Sequence, residues 1–383
     1  MKKIFNKKTV YFIVSLALVA WYLYQSQYQN QTVTTAPTSS VQSATSVTTS
    51  SGDYFDVYFT NPPLDSSSQG IETHLIGLIN NAKQSVHGVV YEIDLQNVAD
   101  ALISAKQRGI EVQLVYDDEQ ADKPERQEIL EQFGKVGIPF VPDERSAYMH
   151  NKFFVIDGKI VWTGSFNITN NASHKNNENA VVFESAKLAE NYEKEFSEMF
   201  NDNLFGPKST SDTPNPTTYI GEVEINNYFA PEDKVMPKII TEVKKAKYSI
   251  DFLSFSFTDV DLGYTISELA LNDDVIVRGV FDANQNMENS VCPYLMARDK
   301  NIEGNGDILV KLDGNKGIMH EKVIVIDGVT VIFGSFNFSG QANTSNDENI
   351  LVVHDPALAA LFLAEFQKIF DQGITPLEGC KKN

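Results

Sequence analysis

The amino-acid sequence predicts an α/β protein built from two similar domains, each a β-sheet covered by helices. The first observation behind this prediction is an internal repeat, because His320 follows His150 by 170 residues within nearly identical segments. The second is that β-branched runs alternate with helical spacing in each copy. Repeats this long are duplicated domains, since solenoid repeats run roughly 20–50 residues. A chain of 383 residues can bury the two cores that this requires.

The repeat extends well beyond the two histidine segments. The matching pieces are Tyr58-Phe59 with Tyr228-Phe229, Glu195-Phe196 with Glu365-Phe366, and, at the slightly smaller offset of 164, residues 82–86 with 246–250. Each half is therefore one unit, with a small change of length between its beginning and its histidine motif.

Each element of the first half follows from a local pattern. Apolar residues with helical spacing fall in Gly70–Gln84, a β-branched run follows, and Gly109 ends the next helix. The predicted strands are Val86–Ile93 and Val112–Tyr116, and the predicted helices are Leu95–Arg108 and Leu188–Phe200. In the second half the corresponding strands are Ile250–Phe257 and Val275–Phe281, and Ala357–Phe370 is the closing helix.

The histidine segments themselves predict two hairpins with a glycine at the corner. The first is Lys152–Asp157, Gly158 and Ile160–Thr163, and the second is Lys322–Asp327, Gly328 and Val331–Phe333. Two inserts of unequal length, Glu119–Ser146 and Asn284–Gly317, separate each hairpin from the preceding strand. We expect these inserts to shape access to the substrate rather than the core.

Composition divides the chain into five predicted parts. These are a signal or anchor segment (1–30), a Ser/Thr-rich linker (31–53), the first domain (54–205), a linker (206–221) and the second domain (222–375). Four lysines precede the apolar run Val10–Tyr24, which is the order of an export signal or an N-terminal membrane anchor. The sequence thus predicts an extracytoplasmic protein, held at a membrane through this segment or secreted after cleavage.

The net charge bears on which substrates or ligands the protein can bind, and the cysteine content bears on whether it contains a disulfide. The formal net charge is −20, and a field of this sign repels nucleic acid at long range, although a local basic groove would still bind it. The two cysteines, Cys292 and Cys380, are compatible with a disulfide in an exported protein and equally with two free thiols.

Each histidine segment carries the same set of polar residues at the same spacing. The sets are His150, Lys152, Asp157, Ser165 and Asn167, with Glu178 further on, and His320, Lys322, Asp327, Ser335 and Asn337, with Glu348 further on. On a strand, His and Lys two residues apart point to the same side. Lys and Asn suit phosphoryl oxygens, the serine adds a donor, and imidazole is a nucleophile or proton carrier near neutral pH.

Duplication has a chemical reason if the reaction is a two-step displacement at phosphorus. One imidazole attacks phosphorus, and a second group must protonate the departing oxygen. Two copies related by an approximate two-fold axis place both imidazoles in one cleft, so a monomer suffices. The glutamates can hold an imidazole in one tautomer. A metal site on His150 and Glu178 is disfavoured, because Lys152 would repel a cation beside it.

Both segments resemble the HxKxxxxDxxxxxxGSxN signature of the phospholipase D superfamily, without a departure at any signature position. The resemblance covers most of residues 54–373. It implies duplicated α-β-α sandwich domains with pseudo-two-fold symmetry and one active site at their interface. It also implies hydrolysis of a phosphodiester through a phosphohistidine, with no metal and no cofactor.

By the same analogy His150 forms the phosphohistidine and His320 protonates the leaving group. The phosphate is held by Lys152, Lys322, Asn167 and Asn337, while Glu178 and Glu348 are supporting acids. Asp157 and Asp327 are secondary candidates, expected to orient turns.

Phospholipid is the favoured substrate, because an anchored enzyme faces lipid and an acidic surface disfavours DNA. The alternatives are an extracellular endonuclease of the same superfamily, a phosphatidyl transferase, and a scaffold without activity.

Overall fold

The computed structural model describes residues 47–52, 54–63, 70–273, 275–285, 289–299, 308–376 and 380. The predicted anchor and most of the predicted Ser/Thr-rich linker lie outside the described residues. Among the helices that are described, none is long and apolar enough to cross a membrane.

The first lobe is built on a mixed sheet that has eight strands within the described residues, in the order β1-β2-β8-β7-β6-β3-β4-β5. Strands β3, β4 and β5 run parallel, and the other neighbours are antiparallel. The strands are β1 (Val47–Ser51), β2 (Phe55–Thr60), β3 (Ser85–Val90), β4 (Glu111–Tyr116), β5 (Phe140–Pro142), β6 (Lys152–Ile156), β7 (Ile160–Gly164) and β8 (Asn179–Glu184).

The second lobe repeats this arrangement in the order β13-β12-β11-β14-β15-β16-β10-β9. Its parallel strands are β11, β12 and β13. The strands are β9 (Thr217–Ile220), β10 (Val223–Ala230), β11 (Ser249–Ser254), β12 (Ile276–Phe281), β13 (Ile308–Leu312), β14 (Lys322–Ile326), β15 (Thr330–Gly334) and β16 (Glu348–His354).

Helices cover both faces of each sheet. The first lobe has α1 (Glu72–Asn81), α2 (Gln96–Gln107), α3 (Pro124–Val136), α4 (Asn170–His174) and α5 (Ala186–Asp202). The second has α6 (Val235–Val243), α7 (Val260–Asp273), α8 (Cys292–Asp299), α9 (Gly340–Thr344) and α10 (Pro356–Gln372). Helices α5 and α10 begin at capping side chains, Ser185 and Asp355, which accept hydrogen bonds from main-chain N–H groups of the first turn.

The core explains why the central strands are apolar on both faces. Phe153 and Val155 of β6 join a cluster between the two sheets that also contains Val323 and Val325 of β14, together with residues of α5 and α10. Phe154 packs instead into the outer cluster with α1, α2 and α3. A strand buried on both faces reads as a continuous hydrophobic run. The predicted duplicated α-β-α architecture is confirmed.

Two strands lie where the sequence predicted linkers. Val47–Ser51 pairs with β2 along its length, although it belongs to the stretch predicted to be a Ser/Thr-rich linker. Thr217–Ile220 pairs with β10 inside the predicted linker 206–221. Both are threonine-containing edge strands, and threonine is β-branched and suited to an edge. The remaining domain boundaries stay a prediction. Cys292 and Cys380 form a disulfide, so of the two alternatives for the cysteines, a disulfide or two free thiols, the structure has the disulfide.

Candidate active site

The two histidine motifs meet at the interface between the lobes. His150 and His320 lie two residues before the central strands β6 and β14, and their ring centroids are 6.4 Å apart with the planes at 80°. Both side chains are almost entirely buried. The predicted convergence of both imidazoles on one site is what the structure shows.

Main-chain hydrogen bonds across the interface fix the two histidines reciprocally. The His150 N–H donates to the Asp347 carbonyl oxygen, and the His320 N–H donates to the Asn177 carbonyl oxygen, each at 2.9 Å. Asp347 and Asn177 each precede the glutamate of their own lobe. The methionine before each histidine therefore forms a short β-bridge with the segment that carries the opposite lobe's glutamate, Met149 with Asp347 and Met319 with Asn177.

The glutamates are exchanged between the lobes. His150 Nδ1 lies 2.7 Å from Glu348 Oε2, and His320 Nδ1 lies 2.9 Å from Glu178 Oε2. A carboxylate that accepts from Nδ1–H fixes the tautomer and leaves Nε2 as the nitrogen for chemistry. Each catalytic unit is thus completed by the other repeat, which spacing within one motif could not reveal.

The serines do not occupy the predicted place on the phosphate. Ser165 Oγ donates to Glu178 and Ser335 Oγ to Glu348, both at 2.7 Å, and both serines are fully buried. Their main-chain N–H groups are also used, donating to carbonyl oxygens of the neighbouring strands. The prediction that they add donors for a phosphate is wrong, because they orient the glutamates instead.

The glycine before each serine allows this close packing. At Gly164 an added Cβ would lie 2.4 Å from the Asn179 carbonyl oxygen, and at Gly334 it would lie 2.3 Å from that of Asn349. No side chain fits at such distances. The Gly-Ser pair therefore lets the backbone approach the neighbouring strand closely, and the serine hydroxyl reaches the glutamate at the start of that strand.

The lysines line the site above aromatic rings. Lys152 Nζ donates to the His150 carbonyl oxygen at 2.7 Å, and Lys322 Nζ donates to that of His320. Each ammonium also lies over a ring, Tyr91 at 4.8 Å and Phe255 at 4.9 Å. Two further donors on each ammonium remain for a substrate oxygen.

Tyr91 and Phe255 form walls that the sequence interpretation missed. Their rings meet the imidazoles of His150 and His320 edge-on, at 4.7 and 4.8 Å. The signal was present, because the two aromatic residues occupy the same place in the repeat, at the offset of 164.

Asn167 lines one recess together with Lys152 and Glu92. Its Nδ2 donates to Glu92 Oε2 at 3.3 Å. The Oδ1 atoms of Asn167 and of its counterpart Asn337 are both buried without a hydrogen-bond partner among the described residues. Buried acceptors are normally hydrogen-bonded, so this matching pair of unpaired atoms sets the two asparagines apart from the surrounding core.

Asp157 and Asp327 are not brought to the site. They follow the far ends of β6 and β14, and their carboxylates accept main-chain N–H bonds from residues 83–85 and 247–249. Both have φ of +54°, at the glycine corner. The prediction that Asp157 and Asp327 support the phosphate is therefore corrected. The expected role in orienting turns agrees with these contacts.

Burial dominates the electrostatics. It lowers the pKa of His150 well below the usual value, helped by the charges of Lys152 and Lys322, so the imidazole is held neutral. Burial also lowers the pKa of Lys152 to about 8 and that of Lys322 to about 7, and it raises the pKa of Glu348 to about 7. An anionic ligand would stabilise both ammonium groups. Within the described residues no cluster of histidine, cysteine or acidic side chains could hold a metal ion.

Comparison with known proteins identifies the family. The family model described as "Cardiolipin synthase, PLD-like domain" matches residues 75–200 and 239–370, one match for each lobe. Mitochondrial cardiolipin hydrolase of Chlamydomonas reinhardtii is 27% identical over 129 residues, 34% of this chain and 57% of that protein. Phospholipase D of Rickettsia prowazekii is 32% identical over 152 residues, 37% of this chain and 64% of that protein. The chain thus matches less than two thirds of the length of these curated relatives.

The fold has a counterpart in a solved structure. The crystal structure of phosphatidylserine synthase from Haemophilus influenzae matches with a TM-score of 0.61 at 18% identity, covering 79% of this chain and 83% of that one. Such a likeness shows the fold, and the two family matches coincide with the two motif-bearing lobes. The chain belongs to the phospholipase D superfamily.

Proposed function

We propose that this protein hydrolyses the phosphodiester of membrane phospholipids on the head-group side, through a covalent phosphohistidine and without a metal ion. The observation that carries the proposal is the reciprocal pairing of each imidazole Nδ1 with the glutamate of the other lobe. This pairing leaves two Nε2 atoms for one phosphoryl group, with two lysines beside them.

In the first step His150 Nε2 attacks phosphorus. A P–N bond forms, the bond between phosphorus and the head-group oxygen breaks, and His320 gives its Nε2 proton to that oxygen. The head-group alcohol leaves and the phosphatidyl group stays on His150. Lys152 and Lys322 stabilise the negative charge that gathers on the phosphoryl oxygens in the transition state.

In the second step His320, now neutral, removes a proton from water. The hydroxide forms a P–O bond as the P–N bond breaks, so phosphatidate leaves and both imidazoles regain their starting protonation states. An alcohol in place of water would give phosphatidyl transfer by the same route.

Charge at the site supports the metal-free route. The two ammonium groups lie beside the two histidines, and their positive charges would repel a divalent cation bound there. They supply the positive charge that a metal supplies elsewhere.

We further propose that the enzyme acts outside the cytoplasm, at a membrane to which residues 1–30 attach it. The disulfide between Cys292 and Cys380 supports this location, because such bonds persist in oxidising compartments. The net charge of −20 supports a lipid over a nucleic acid, because it repels phosphate polymers.

The test compares the two substrate classes on the full-length protein reconstituted into lipid vesicles. Head-group release from mixed phosphatidyl vesicles and cleavage of single-stranded DNA are measured in parallel, for the wild type, for His150→Ala, and for His354→Ala as a histidine control outside the site. The proposal predicts lipid hydrolysis that only His150→Ala abolishes. DNA cleavage without head-group release would establish the nuclease alternative, and unchanged activity in His150→Ala would remove the proposed nucleophile.

A further inference from the structure

The two halves of the site differ at one position that faces the phosphate-binding side chains. Glu92 of the first lobe corresponds to Ser256 of the second, each directly after the aromatic wall residue. The backbone confirms the equivalence, because the Glu92 carbonyl oxygen accepts from Ile168 N–H at 3.2 Å and the Ser256 carbonyl oxygen accepts from Phe338 N–H at 3.0 Å. A charged residue therefore stands in one half where a neutral one stands in the other.

The Glu92 carboxylate is held in a fixed orientation. Its Oε1 accepts from Arg126 Nη2 at 2.7 Å, and Arg126 is anchored in turn by the main-chain oxygen of Gln120. Its Oε2 lies 3.3 Å from Asn167 Nδ2, a long contact that leaves acceptor capacity on this oxygen. The Glu92 side chain keeps 19% of its surface exposed, whereas Arg126 keeps 4%. Arg126 thus holds one carboxylate oxygen, and the other, Oε2, faces Asn167.

A carboxylate at this place is unsuited to the phosphate itself. It shares a recess with Lys152 and Asn167, so it would repel a phosphoryl oxygen bound to either of them. It is suited to a hydroxyl or an ammonium, which donate hydrogen bonds to carboxylate oxygens.

Aromatic rings border the same part of the cleft. Tyr148 is 37% exposed, and its ring centroid lies 5.5 Å from that of Tyr91 and 6.4 Å from that of His150. Tyrosine faces tolerate or attract an ammonium group. In the second lobe the residue at the repeat position of Tyr148 is Ile318, so this feature is also confined to one side.

We propose that Glu92 is a specificity-determining residue that accepts a hydrogen bond from a hydroxyl or ammonium group of the substrate alcohol. The enzyme thereby selects phospholipids whose head group carries such a donor. The inference rests on the proposed function, since it takes a phospholipid as substrate.

The experiment compares kcat/KM of the full-length protein on four lipids in the same vesicles. Phosphatidylglycerol supplies a hydroxyl donor and phosphatidylethanolamine an ammonium donor, phosphatidylcholine supplies charge without a donor, and phosphatidylmethanol supplies neither. The wild type should favour the two donor-bearing lipids over phosphatidylmethanol by roughly ten- to a hundredfold, the range expected for a hydrogen bond to a charged group. Glu92→Ser, which copies the second lobe, should bring this ratio close to one.

Two variants separate recognition from folding. Glu92→Gln keeps one acceptor oxygen, which Arg126 uses, and puts an amide NH2 group in the place of Oε2. A hydroxyl can accept a hydrogen bond from this group and an ammonium cannot, so the variant should lose the preference for phosphatidylethanolamine while keeping part of that for phosphatidylglycerol. Ser256→Ala changes the matching position of the second lobe and should leave every ratio unchanged. Damage to the fold would lower all four rates together and would not move their ratios.

Defined outcomes overturn the inference. If the ratio of kcat/KM on donor-bearing lipids to that on phosphatidylmethanol were unchanged in Glu92→Ser, Glu92 would not contribute to head-group recognition. Equal rates on phosphatidylcholine and phosphatidylethanolamine would show that the enzyme does not recognise a hydrogen-bond donor on the head group. A wild type that hydrolyses none of the four lipids would overturn the proposed function itself and this inference with it. Lipid hydrolysis with insensitive ratios would overturn the inference alone.

Discussion

Replacing Glu178 with glutamine should impair His320 of the second lobe and spare His150 of its own motif. Glu178 Oε2 lies 2.9 Å from His320 Nδ1, and it also accepts from Ser165 Oγ at 2.7 Å. Glutamine keeps the size of the side chain and one acceptor oxygen but removes the negative charge. The charge of Glu178 raises the pKa of His320 against the effect of burial, so the substitution lowers that pKa further and leaves less imidazolium to act as an acid.

The size of the effect follows from one charge-assisted hydrogen bond. Such bonds contribute about 1.5–3 kcal/mol, which corresponds to a rate loss of roughly 10- to 150-fold. The loss should appear in full on a lipid, whose alkoxide leaving group needs a proton. On bis(p-nitrophenyl) phosphate the first step needs little protonation, so the burst of p-nitrophenolate should slow less than about threefold.

The mirror substitution gives the contrast. Glu348 holds His150, the proposed nucleophile, so Glu348→Gln should slow the burst as well as lipid hydrolysis. In a His320→Ala background, adding Glu178→Gln should change the burst little, because its imidazole partner is gone, whereas adding Glu348→Gln should still slow it.

The reverse pattern would refute the reasoning. If, in the His320→Ala background, Glu178→Gln slowed the burst and Glu348→Gln did not, each glutamate would be acting within its own lobe. If His320→Ala alone abolished the burst, the roles of the two histidines would be exchanged.

Three further predictions concern charge and stability. Burial lowers the pKa of Lys322 to about 7 and that of Lys152 to about 8, so both ammonium charges are lost as the pH rises through these values. Inhibition by sulfate should therefore weaken by roughly tenfold or more between about pH 6 and pH 9 in the wild type, and by less in Lys322→Arg, in which only Lys152 still loses its charge. A flat profile in the wild type would contradict this prediction. Asp157→Ala should lower the free energy of unfolding by about 1–2 kcal/mol in denaturant titrations, because the hydrogen bonds from main-chain N–H groups to its carboxylate are lost. The folded fraction should keep its kcat, and a loss of kcat would show that Asp157 acts in the site. Replacing Cys292 and Cys380 together by serine should lower the same free energy by about 2–4 kcal/mol, and an unchanged denaturation midpoint would show that the disulfide contributes nothing.

The fold and the pairing of the motifs could be predicted from the sequence because both follow from repeated patterns, the spacing of apolar residues and the internal repeat. The constant offset places His150 and His320 at equivalent ends of equivalent strands, and a shared site follows if the halves are related by a two-fold axis. The apolar runs of β6 and β14 predicted buried central strands for the same reason.

The partners within the site could not be predicted, because they depend on how the halves pack. Glu178 follows Asn167 in the chain but bonds to His320, and no spacing within one motif contains that exchange. Ser165 was assigned to the phosphate on its residue type, yet burial turns its hydroxyl toward Glu178. Edge strand β1 was missed since its threonines also suit a linker, and only pairing with β2 distinguishes the two.

The most direct test of the central claim is to trap and map the covalent intermediate. In His320→Asn the second step lacks its base, and a p-nitrophenyl diester needs no acid in the first, so the phosphoryl-enzyme should accumulate. After quenching at alkaline pH, where phosphohistidine survives, mass spectrometry of the peptides should locate the phosphoryl group on His150. A burst without any adduct, or an adduct on another residue, would contradict the account.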